Sequence, residues 1–184
     1  MNGIASVERI GRPNPTETAM RVAVVASLSA TTMLFASLAS AYLVRRSFID
    51  WTQPKGAAWP WVLLSLALAA SAGLEVALRS SPARRRIALQ GVGLVTALYF
   101  ASAVAVIRSM ASGAGGLGPP HHAFVALLLG VHVVHSVAGG AFAAWLFRDA
   151  SDLLTPARSL LARLVTHFLA GLVLFIVLLL FVVQ

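Results

Sequence analysis

Apolar residues come in five long runs along this chain, and most charged residues lie in the stretches between and beside them. The runs cover about 20–44, 60–78, 87–107, 123–147 and 161–183. At about 1.5 Å rise per residue each is long enough, as a helix, to cross a hydrocarbon layer of about 30 Å, the second only barely. A backbone in lipid must satisfy its own hydrogen bonds, so such runs predict helices. The pattern predicts an all-α polytopic membrane protein, one bundle of five transmembrane helices over 20–184, behind a polar tail at 1–19. That tail holds Pro13 and Pro15 and no apolar run, so it does not read as a secretory signal.

Each run ends on charge or on a helix breaker. Arg45 and Arg46 close the first, and a polar connector with Trp51 leads to Trp59-Pro60-Trp61. These tryptophans read as an interfacial belt, with Pro60 tolerable in a first helical turn. Arg79, Pro82, Arg84, Arg85 and Arg86 separate the second run from the third. Gly91 and Gly93 are expected to thin the third helix for a neighbour. A glycine-rich stretch ending in Pro119-Pro120-His121-His122 precedes the fourth run, and both histidines read as solvated. A connector with Asp149, Asp152 and Pro156 precedes the fifth.

Composition narrows the class further. Hydrophobic residues make up 59% and charged residues 11%, against about 45–50% and 25% in soluble domains. There is no cysteine, which removes disulfides and thiolate metal sites. The net charge of +8 would suggest nucleic acid in a soluble protein. Here the arginines flank apolar spans, so they read as topology signals and headgroup contacts, with no nucleic-acid partner expected. With the tail and the second and fourth connectors on one side, that side holds 10 Lys and Arg against 4 on the other. The positive-inside rule then puts the N-terminus in the cytoplasm and the C-terminus outside.

Ionisable groups away from the extreme ends of the spans are His132, His135, His167 and, near the inner end of the second, Glu75. The fourth span, AFVALLLGVHVVHSVAGGAFAAWLF, is the informative one. His132 and His135 stand three apart and so share a helical face. Gly139 continues that face, and Gly130 lies two residues before His132; small residues there let a helix approach closely. Glu75 sits four before Arg79, which an i, i+4 ion pair explains. Imidazole ligates haem and metals. Counted from the fourth connector, however, His135 and His167 differ by roughly 9 Å in depth, and no carboxylate is expected nearby to complete a shell. Hydrogen bonding between helices, to a lipid or to a partner subunit is the plainer role for the histidines. Arg148 could bind a lipid phosphate or simply reach the interface. The hydroxyl of Thr31, like that of Thr32, can bond back to the preceding turn.

These residues together resemble a known family. Gly130-x-His132-x-x-His135-x-x-x-Gly139 is similar to a helix of subunit III of haem-copper respiratory oxidases. Met33-Leu34-Phe35-Ala36 with Ala41-Tyr42 resembles the first helix of its five-span bacterial form, and His167-Phe168 resembles the family's Trp-His-Phe element. Thr31 stands where that family carries a glutamate. Thr166, Ala170 and Val173 replace its Trp, Asp and Trp around the last-helix histidine. The resemblance implies a non-catalytic accessory subunit of a cytochrome c or quinol oxidase. Such a subunit holds no haem or copper itself; those sit in the partner catalytic subunits. It packs against subunit I, keeps phospholipids between its helices and protects the oxidase during turnover. His132, His135, Gly139, His167, Arg148 and Thr31 would then serve helix packing or lipid binding. A homologous accessory subunit of nitric oxide reductase, and a small haem- or quinone-binding electron carrier, are the alternatives.

Overall fold

The computed structural model describes residues 15–52, 58–111, 119–148 and 155–181, with the side chain of Arg148 outside that set. These residues form five helices: α1 Pro15–Arg46, α2 Trp59–Arg79, α3 Pro82–Ala111, α4 Pro120–Arg148 and α5 Pro156–Phe181. All five are long and apolar enough to cross a membrane. The fold is an all-α bundle of the multi-pass membrane type.

Every helix begins at or beside a proline: Pro15, Pro60, Pro82, Pro120 and Pro156. Proline suits this position, because its missing N–H would find no intrahelical partner there and its φ is already helical. The helices overrun the apolar runs at most ends. Pro82 starts α3 before the Arg84, Arg85 and Arg86 cluster, so these arginines form its first turns rather than a loop. Only Ser80 and Ser81 separate α2 from α3.

Contacts fix the directions. Trp59 meets Phe181 while Glu75 meets Arg163, so α2 and α5 run antiparallel. Tyr99 meets His132 from α3 to α4, and Gly139 faces Val165 and Leu169 from α4 to α5. One end of the bundle therefore carries Arg79, Arg84, Arg85, Arg86, Arg158 and Arg163, and is called the basic end below.

α5 is the central helix. In its most apolar stretch 44% of residues are buried, against 11% in α3. It touches α1, α2 and α4. α1 buries a narrow stripe, Val24, Thr31, Phe35, Ala39 and Tyr42, at helical spacing. Its other faces, with Val25, Met33 and Val44, are exposed, as lipid-facing surfaces are.

Three glycine readings change. A Cβ on Gly91, Gly93 or Gly130 would meet no atom within 4 Å. Gly93 instead lines an open cleft, so the missing side chain widens a space rather than seating a helix. The close approach of α2 to α3 is at Gly73, whose added Cβ would lie 3.0 Å from Val92 Cγ2.

Candidate functional site

The site is built on the face that α4 turns towards α3 and α5. His132 is buried, 1% exposed, and both of its ring nitrogens are occupied. Nε2 lies 3.0 Å from the carbonyl of Leu169. A carbonyl only accepts, so Nε2 carries the proton. Nδ1 is then the acceptor and receives the Tyr99 hydroxyl at 2.7 Å, with Ser136 Oγ at 3.2 Å. One side chain thus ties α3, α4 and α5 together, and its lone pair is already used. Tyr99 is 4% exposed and sits mid-helix. In the sequence, a tyrosine inside an apolar run such as Tyr99 reads as core. Its position away from the interfaces, where membrane tyrosines concentrate, was the available signal.

His135 shares the Phe35 ring contact with His132, at 6.1 and 6.4 Å between centroids, yet it lines a different space. Its Nδ1 lies 2.8 Å from the carbonyl of Val131, one turn back. That nitrogen therefore donates, and Nε2 in the neutral ring is an acceptor without a hydrogen-bond partner among the described residues. His135 lines a cleft of ≈ 320 Å³ between α1, α4 and α5. Thr31 lines the same cleft, with its hydroxyl bonded to the Ser27 carbonyl at 2.9 Å.

Gly139 packs tightly against α5. A Cβ there would come within 2.7 Å of Leu169 Cδ1 and 2.9 Å of Val165 Cγ1. Glycine lets the helices approach until the His132 bond to a backbone carbonyl can form. A larger cleft of ≈ 670 Å³ opens on the other side of α4. It runs from Tyr99 and His132 at mid-depth towards Arg86 and Gln90 at the basic end, between mostly apolar walls.

His167 belongs to a separate cluster near the basic end. Ser71 Oγ lies against its Nδ1, and its Nε2 is 3.1 Å from Glu75 Oε1. Arg163 Nε is 2.9 Å from the same oxygen, and Arg79 reaches Oε2 at 3.4 Å. The i, i+4 pair read from the sequence is therefore the longest of three contacts. The expectation that no carboxylate lies near the histidines is also corrected, because antiparallel α2 and α5 bring Glu75 to His167 from 92 positions away. Serine, histidine and carboxylate in this order suggest a nucleophile with its base. The setting does not suit that chemistry. Ser71 and Glu75 sit one turn apart on α2, whose amides serve the helix. Ser71 lines neither cleft described above. Arg163 and Arg79 also hold the carboxylate. The arrangement is an ion-paired clamp between α2 and α5.

His121 corrects another reading, since it is buried at 7% exposure rather than solvated. Thr52 Oγ1 lies 3.1 Å from its Nδ1, and Trp51 packs edge-on against it, Tyr42 and Phe124. Trp51 therefore caps the end of the bundle opposite the basic one. The side chain of Arg148 and residues 182–184 lie outside the described residues.

The three intramembrane histidines do not converge on one point: His132 bonds α3 and α5, His135 faces α1, and His167 pairs with α2. No protein-family model, curated protein or solved structure matches this chain.

Proposed function

We propose that this chain is a non-catalytic accessory subunit of a respiratory haem-copper terminal oxidase, the counterpart of subunit III, which braces the catalytic subunit and holds phospholipid. The observation that carries this reading is the hydrogen bonding of His132. An iron or copper ligand needs a free imidazole lone pair, and that of His132 is taken by Tyr99. The most buried ionisable group of the bundle thus serves packing, and redox chemistry falls to a partner.

The larger cleft supports the lipid role. Its apolar walls suit an acyl chain, and Arg86 at its basic end suits a phosphate. Haem and copper belong to the partner subunits. The membrane is the bacterial inner membrane, with the basic end and the N-terminus cytoplasmic by the positive-inside rule.

Removing the gene and following oxygen consumption tests the role. The oxidase should keep its haem spectrum and initial rate but lose activity faster during sustained turnover. An unchanged decay, or an immediate loss of all activity with normal haem content, would contradict it.

A further inference from the structure

The smaller cleft differs from the larger in one chemical respect: none of the residues lining it is Lys, Arg, Asp or Glu. Its walls come from α1 (Met20, Val24, Leu28), α4 (Ala138, Phe142) and α5 (Val165, Phe168), with Ser27, Thr31 and His135 as polar groups. A phosphate head would find no cation here, and burying a charge without a partner is costly. The Thr31 hydroxyl is spent on its own helix. His135 is held with Nδ1 donating to Val131, so it offers an incoming molecule an acceptor at Nε2. Phe142 and Phe168 line the space and Phe35 stands edge-on to the imidazole. These rings suit a flat partner. The volume of ≈ 320 Å³ is near the lower end for small-molecule sites, which suits a single ring and the start of its tail. α1 is exposed on most of its surface, so a lipid-soluble molecule can enter sideways.

We propose that the cleft between α1, α4 and α5 binds the head of a membrane quinol, whose ring hydroxyl donates to His135 Nε2. A neutral, flat, hydroxyl-bearing ring on an apolar tail meets each of these conditions. The tautomer sets a redox preference in binding. A quinol has a proton to donate; its quinone has only acceptors and meets the lone pair of Nε2 unfavourably. This inference holds whether or not the chain sits in an oxidase, since it uses only this chain's own residues.

The test uses the full chain in phosphatidylcholine nanodiscs. It is titrated without oxygen with decylubiquinol, its oxidised quinone and its dimethyl ether, while the ring nitrogens of ¹⁵N-histidine are followed by NMR. Quinol should bind about tenfold more tightly than the ether, the size of one good hydrogen bond, and should shift one Nε2 resonance. His135→Leu should remove that resonance and level the three affinities. Equal affinities in the unmodified protein, no binding above the lipid background, or a quinol preference that survives His135→Leu would each overturn the proposal. The comparison of ligands needs no variant, so it stands even if His135→Leu fails to fold.

Discussion

Tyr99→Phe removes a single hydroxyl from the middle of the bundle and leaves His132 Nδ1 with only the longer contact to Ser136. Interhelical hydrogen bonds in membranes average about 0.6 kcal/mol and reach about 1.7, and the depth of this one puts it towards the upper value. Unfolding in mixed micelles with increasing dodecyl sulfate should show a loss of that size; an unchanged midpoint would remove His132 from the packing role. At the α2–α5 clamp the expectation is a ranking. Glu75→Gln should destabilise more than Arg79→Gln, because Glu75 contacts three partners and Arg79 is 78% exposed. Equal effects would mean that the Arg163 and His167 contacts contribute nothing. Sequence spacing reveals Glu75 with Arg79, since i and i+4 are neighbours on any helix. Arg163 and His167 are neighbours of Glu75 only once α2 and α5 lie antiparallel, and no local pattern encodes that pairing.

Two glycines on different helices separate packing from propensity. Gly139→Ala drives a methyl into Leu169 and Val165, an overpacking cost of typically 1–3 kcal/mol. Two side chains crowd the new methyl, which puts the cost above the roughly 1 kcal/mol alanine gains as a helix former, so the net effect should be destabilising. Gly91→Ala meets nothing and should be neutral or stabilising by up to about 1 kcal/mol. The same micelle titration reads both, and a stabilising Gly139→Ala would place α4 and α5 further apart. The existence of the five helices was legible, because apolar length is the dominant signal in lipid. Their starts were legible too, in the prolines that precede or open each run. Gly139 was legible as a contact from its position on the histidine face. Gly73 was not, since a small residue in an apolar run does not reveal whether a neighbour or open space lies opposite.

At the scale of the whole molecule, the sequence carried the class and the structure supplied the arrangement. Charge counts cannot show that α5 lies at the centre, nor that two clefts flank α4, one with Arg86 at its basic end and one with no Lys, Arg, Asp or Glu in its walls. Orientation has its own check: a periplasm-dependent reporter fused after Gln184 should be active, and one fused before Met1 inactive. The reverse pattern would invert the bundle. The central claim is that this polypeptide braces a redox partner without carrying the cofactor itself. The most direct measurement is the composition and visible spectrum of what a tag on this chain draws from mild-detergent membranes, followed by the spectrum of the chain separated from it. The expected result is a haem-bearing complex whose Soret band stays with the partner subunits. A chain that purifies alone, or that keeps the band after separation, would contradict it.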